Sequence, residues 1–315
     1  MSEPCMAIAK PYACSLQNSA NTMNSNCSSE SPARDPWAAL CHPETGLASP
    51  KPNLSARVLL LAAHPDDETI GASTILTRLP DVTVVFLTDG APRDPKFWSP
   101  DARGSRDDYA RLRWQEAISA LSLAGIPPER IVCLGAVDQD AIFAVPALVA
   151  WFSALLHQLR PDILLTHPYE GGHPDHDAAA LIAHLAIRNL KCESESTTIP
   201  QLIEMTSYHV REGSCATGKF LPYEAQSLPE LVIQLSTEGR ARKDAMLARY
   251  SSQRHLLQNF DSDSERFRLA PRYDFRRPPH PGKLWYECLG WPTTGARWRE
   301  LATEAVRQFQ VELCV

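Results

Sequence analysis

Every position of Val58-Leu-Leu-Leu-Ala-Ala63 is apolar, so neither alternating set of side chains is left for water. A strand with one wet face alternates in polarity; a strand covered on both faces does not. The run therefore calls for a parallel sheet sandwiched between helices. Val82 to Leu87, Ile131 to Leu134 and Asp162 to Thr166 read as further strands. Between them, Thr69 to Arg78, Asp107 to Ala124, Val145 to Leu159 and Asp177 to Leu190 carry helical spacing. In the second helix Ala110, Trp114, Ala117, Ile118 and Leu121 recur at three and four residues, and Gly125 with Pro127 and Pro128 ends it. Strand–helix alternation of this kind predicts an α/β, doubly wound, mostly parallel sheet with right-handed crossovers.

Beyond residue 200 the pattern weakens. Leu202 to Val210 reads as one strand and Gly239 to about Leu257 as one helix, while Arg272 to Trp298, rich in Pro and aromatics, reads as an irregular wrap. Residues 1–54 are dominated by Ser, Asn, Pro and Cys and sustain no apolar period, which predicts a disordered or loosely attached extension. The expected organisation is that extension followed by a single domain over 55–315, with a C-terminal elaboration from about 258.

Composition excludes several classes. A net charge of −6 provides no electrostatic footprint for nucleic acid or an anionic membrane. The run from Val58 to Ala63 is far short of a membrane span, and no signal peptide is evident. Nine Cys without a C-x-x-C pair read as reduced thiols of a cytoplasmic protein. No G-x-G-x-x-G follows any strand, which argues against a dinucleotide-dependent dehydrogenase.

The chemistry sits directly after two of the strands. His64-Pro65-Asp66-Asp67-Glu68 follows the first, at the strand end where open parallel sheets place ligands. Carboxylates this crowded repel one another unless a cation or a buried proton compensates; a divalent metal supplies that compensation, and His with Asp is a usual donor set for a catalytic one. The bland alternative is a polar turn in which Asp66 or Asp67 caps the next helix. His173-Pro174-Asp175-His176 follows the strand ending at Thr166, after His167 and the loop Pro168-Tyr-Glu-Gly-Gly172, where paired glycines permit close backbone approach. Two His-Pro-Asp tripeptides at two strand ends are hard to ascribe to coincidence.

At Ala63-His-Pro-Asp-Asp-Glu68 and His173-Pro-Asp-His176 the sequence resembles the LmbE-like, or PIG-L, family of zinc-dependent N-acetylglucosaminyl deacetylases. Thr88-Asp-Gly90, Arg113-Trp-Gln-Glu116 and the late Lys243, Tyr250, Ser251 and Gln253 extend the resemblance over about residues 56–257. It implies a Rossmann-like fold and hydrolysis of an N-acetyl group from an amino sugar or glycoconjugate. His64, Asp67 and His176 would be the metal ligands, Asp66 the general base, and His173 the oxyanion stabiliser or proton donor to the leaving amine. Arg113 and Asp138 would contact substrate. The ion would be Zn²⁺, although Fe²⁺ or another divalent ion suits the same donors. Some relatives carry a Tyr two residues before the first His of the second motif; here that position is Gly171, and Tyr169 is the nearby residue that could reach in.

Two other readings compete with the deacetylase: a metal amidase acting on a different amide such as a thiol conjugate, and a catalytically silent metal- or sugar-binding protein. The partner expected is a small molecule, with the oligomeric state open. The remaining histidines read as structural. His42 falls in the extension, His157, His184 and His255 on helix surfaces, His209 in a strand and His280 in a Pro-rich turn. Trp285, Tyr286, Trp291 and Trp298 read as tail-to-core packing, and Asp261 to Glu265 as a solvated loop.

Overall fold

The computed structural model describes residues 56–100, 102–193, 198–223 and 228–312. The proposed extension, with His42, lies outside them. Strands β1 (Val58–Ala62), β2 (Val82–Thr88), β3 (Ile131–Ala136), β4 (Ile163–Thr166) and β5 (Gln201–Met205) are mutually parallel. They lie in the order 3-2-1-4-5, extended by antiparallel β9 (Ser264–Leu269) and β8 (Glu230–Gln234). A separate antiparallel pair is formed by β6 (Tyr208–Arg211) and β7 (Ser214–Thr217). The helices are α1 (Asp67–Arg78), α2 (Arg106–Ser122), α3 (Val145–Leu159), α4 (Pro174–Glu193), α5 (Thr237–Leu247), α6 (Arg254–Leu257), α7 (Trp285–Cys288) and α8 (Gly295–Glu312).

The unbroken apolar run of β1 serves two cores. Val58, Leu60 and Ala62 face a cluster with Ile75 and Leu76 of α1 and Ala117, Ala120 and Leu121 of α2. Leu59 and Leu61 face the other cluster, with α3, α4 and α8. The stretch Ala141–Leu159 is apolar enough and long enough to cross a membrane by composition. Here its inward face, including Leu148, Val149, Phe152 and Leu156, is buried in that second cluster. Strand order reverses between β1 and β4, and it is there that an open sheet leaves a crevice beyond the strand ends.

The structure corrects four expectations in the C-terminal half. The strand expected over 202–210 is two, because the chain leaves the sheet after Met205 and Tyr208 begins a separate hairpin. The helix expected to Leu257 ends at Leu247; the turn that follows frees Tyr250, Ser251 and Ser252 to bond acids elsewhere. The tail is less irregular than its composition suggests, since α8 is an amphipathic helix whose Trp298, Ala302, Ala305 and Phe309 are buried. Finally, the acidic run is not wholly a solvated loop. Asp261 and Asp263 are exposed, but Glu265 lies in β9 and is buried.

Glu265 has a definite task. Helix α1 is kinked at Ala72, whose φ of −146° is not helical. The Thr74 N–H and the Ile70 carbonyl, partners in an unbroken helix, bond elsewhere. Thr74 N–H donates to Glu265 Oε2 (3.0 Å) and Lys243 Nζ donates to Ile70 O (2.6 Å). The two side chains close the circuit with a buried ion pair at 3.1 Å. Lys243→Met keeps the apolar stem but strands a buried carboxylate and a carbonyl. The expected cost is on the order of 3 kcal/mol in urea denaturation; a loss within experimental error would show that the pair does not hold the kink.

Candidate active site

Both His-Pro-Asp segments meet at the crevice between β1 and β4. Asp66 is the residue before α1 and adopts φ 129° and ψ −31°, a conformation that costs a non-glycine residue strain. Its side chain makes no capping bond, so the helix-cap alternative fails for Asp66. Instead Arg113 Nη2 donates to Asp66 Oδ2 (3.1 Å) and to the Pro65 carbonyl. Glu116, one turn along α2, lies near the guanidinium and is itself held by Ser251 Oγ (2.7 Å) and Ser252 N (2.8 Å). Arg113, expected to contact substrate, is a residue only 2% exposed whose guanidinium bonds Asp66.

Asp67 lies between two imidazoles, with Oδ2 3.1 Å from His64 Nδ1 and Oδ1 3.2 Å from His176 Nε2. His64 turns its other nitrogen to Asp175 Oδ2 (3.1 Å) and Asp138 Oδ1 (3.3 Å). Two sets of side chains therefore each offer ligand atoms within 4.8 Å of one another: His64, Asp67 and His176; and His64, Asp138, His173 and Asp175. Of the seven site residues singled out from the sequence, five lie in these sets; Asp66 adjoins Asp67 outside them, and Arg113 bonds Asp66. Asp138 Oδ1 is buried without a well-directed hydrogen bond.

Electrostatics follow from burial. The Asp66 carboxyl is pushed up to about 7, chiefly by desolvation, which outweighs the attraction of Arg113 and is reinforced by repulsion from Asp67. For Asp67, burial also opposes charge, but His176 and His167 outweigh it and hold the carboxyl well below its ordinary range. Burial likewise works against a charged His64, yet Asp138 and the bonds to Asp175 and Asp67 raise it well above the usual imidazole value. His176 is pushed down to about 4 by burial. His173 is held well below its usual range by burial and by repulsion from His64. The Asp175 N–H donates to His173 Nδ1 (3.1 Å), so the neutral ring carries its proton on Nε2. The resting His173 is thus a neutral donor rather than an imidazolium.

Several neighbours escaped the sequence reading. Asp175, fully buried, bonds His64 and accepts from Gln139 N (2.6 Å) and Ala141 N (3.1 Å); its signal was its place inside the second motif. Ser207 reaches His176 Nδ1 (3.1 Å), and Trp291 places its ring edge-on to His173 at 4.6 Å. Neither carries a local signal, because the chain reversal after β5 and the returning tail create these contacts. His167 accepts from Ala63 N (3.0 Å) through Nε2. Tyr169 does not reach in: its hydroxyl donates to Arg277 O (2.8 Å) and its ring stacks on Trp298. The space at Gly171 is taken by Leu284, whose side chain would lie 2.6 Å from an added Cβ, while at Gly172 a Cβ would strike the Tyr208 carbonyl at 1.9 Å. Close approach there is to the chain itself. Of the histidines read as structural, His157 and His255 are exposed, His209 is buried between the Val210 and Lys219 carbonyls, and His184 is half-buried against Tyr273 and Phe275.

The PIG-L family model, described as GlcNAc-PI de-N-acetylase, matches residues 59–187. The 1D-myo-inositol 2-acetamido-2-deoxy-alpha-D-glucopyranoside deacetylase of Tsukamurella paurometabola is 30% identical over 165 residues, covering 42% of this chain and 56% of the relative. The probable N-acetyl-alpha-D-glucosaminyl L-malate deacetylase 2 of Bacillus subtilis is 27% identical over 150 residues, covering 46% and 67%. The chain spans about half the length of the inositol-type relatives it matches, 52% for the one from Corynebacterium glutamicum. Among solved structures, a deacetylase of the teicoplanin biosynthesis pathway superposes with a TM-score of 0.51 at 20% identity, covering 69% of this chain and 99% of that one. That likeness speaks to the fold.

Proposed function

We propose, from the premise that residues 59–187 are a PIG-L (LmbE-like) family domain, that this protein is a divalent-metal-dependent N-deacetylase of an N-acetylglucosamine derivative. The observation that carries the reading is the convergence of His64, Asp67 and His176 on one point, with a second carboxylate, Asp66, beside them and outside the set. The donors suit a first-row divalent ion: two imidazoles and a carboxylate, all buried, among further acids (Asp138, Asp175) that lack enough positive charge. We assign His64, Asp67 and His176 as its ligands and Zn²⁺ as the ion, with Fe²⁺ the next candidate. A cytoplasmic setting goes with this proposal, supported by the cysteine usage.

The ion, when bound, supplies Lewis acidity that acidifies water and polarises an acyl carbonyl, a several-kcal/mol effect. Asp66 takes the water's proton; the Arg113 guanidinium, backed by Glu116, holds that carboxylate in its strained position. His173 offers Nε2–H to the developing oxyanion, and the proton held on Asp66 passes to the leaving amine. Asp138, between His64 and His173, is placed to accept from a sugar hydroxyl. Trp291 covers one side of His173 and Tyr208 packs against His176, excluding water from two sides.

The test is an acetate-release screen over N-acetylglucosamine conjugates and unrelated amides, with added Zn²⁺ or chelator. Acetate from an amino-sugar conjugate, abolished by chelation and restored by metal, is the expected result. Release only from other amides would transfer the assignment to a metal amidase. Activity indifferent to chelation would overturn the reading.

A further inference from the structure

Away from the His/Asp cluster, the second half of α1 and the start of α5 enclose a cavity of about 220 Å³. Three cationic side chains line it, Arg78, Arg242 and Lys243, against one carboxylate, Glu238. In a chain of net charge −6 such a concave concentration of positive charge runs against the overall balance. Arg78 is half-buried, and among the described residues its guanidinium has no hydrogen-bond or ion-pair partner. A guanidinium partly removed from water and unpaired has lost hydration without recovering it from the protein. Among the described residues Arg242 is held only by Glu238 on the same helix, at 2.8 Å, an exposed i,i+4 pair worth a few tenths of a kcal/mol. The Ser236 hydroxyl accepts from Gly239 N (3.1 Å), which leaves its own proton to donate into the cavity. Lys243 forms the floor and is already neutralised by Glu265.

We propose that this cavity is a binding site for a phosphate-type oxyanion, either free inorganic phosphate or the phosphomonoester of a small metabolite. Two guanidiniums present planar forks of donors that match phosphate oxygens, and a hydroxyl donor lies beside them. The volume suits a single phosphate or a small phosphorylated molecule. The anion takes Arg242 from Glu238, whose side chain is free to swing into solvent. Because α1 and α5 supply opposite walls, occupancy clamps the two helices together. The site does not depend on the deacetylase reading.

The test is isothermal titration calorimetry and thermal unfolding with inorganic phosphate and with glucose 6-phosphate, against sodium chloride of matched ionic strength. Phosphate is expected to raise the unfolding temperature where chloride does not. Arg78→Met should weaken binding about tenfold or more, the loss expected for a charge-assisted hydrogen bond. Glu238→Gln, an exposed change that removes the competing acid, should tighten it. His176→Ala should leave phosphate binding intact, which separates this cavity from the metal cluster. Tighter binding of the sugar phosphate would assign the site to a metabolite, tighter binding of inorganic phosphate to the free ion. Stabilisation equal to that by chloride, or affinity unchanged in an Arg78→Met/Arg242→Met double variant, would overturn the proposal.

Discussion

Asp66→Ala is expected to keep its bound metal and lose most turnover, a fall of roughly 10²–10⁴-fold in kcat with little change in KM. The carboxylate lies outside the set formed by His64, Asp67 and His176, so removing it leaves those donors in place. It is also the only acid of the first motif gripped by a guanidinium in a strained backbone conformation, which is an arrangement for placing a side chain rather than stabilising a turn. Asp66→Asn is the sharper variant, because it preserves shape and the Arg113 contact while removing the proton acceptor. Metal content by elemental analysis and acetate release measured together separate the roles. Wild-type rates in either variant would remove Asp66 from the mechanism; loss of metal with activity would make it a ligand instead.

His176→Ala should lose metal and activity together. Its Nε2 is one of three donors in the set, and Ser207 Oγ at Nδ1 fixes the ring's orientation. With two donors left, affinity should fall steeply, and the metal-dependent rise in unfolding temperature expected of the parent protein should vanish, since only binding to the folded state stabilises it. The fold itself should survive, because this imidazole belongs to neither hydrophobic cluster. A His176→Ala protein that binds metal as tightly as the parent would shift the ligand assignment to the neighbouring set of His64, Asp138, His173 and Asp175.

Much of the candidate site is legible in the sequence. The two His-Pro-Asp segments stand in a sequence whose strands can be counted, and a parallel sheet places consecutive strand ends on the same edge. What could not be read were contacts made by chain reversals. Nothing near Ser207 marks it as a partner of His176, since the sequence reads as one strand straight through it. Trp291 sits in a Pro-rich tail whose composition says only that it is irregular. Glu265 ends an acidic run that looks solvated, and only the pairing of β9 with β5 and β8 buries it against Lys243.

The sequence by itself determined the parallel sheet, because six apolar residues without alternation admit only burial on both faces, and it placed both His/Asp segments at strand ends. The tertiary structure decided which groups share protons and charge. Arg113 bonds Asp66 and the Pro65 carbonyl, Tyr169 turned to the tail, and Leu284 filled the space over Gly171. The physical reason is range. Backbone periodicity and strand burial are set by neighbours a few residues apart, whereas the protonation and orientation of a buried side chain are set by whatever distant segment packs against it.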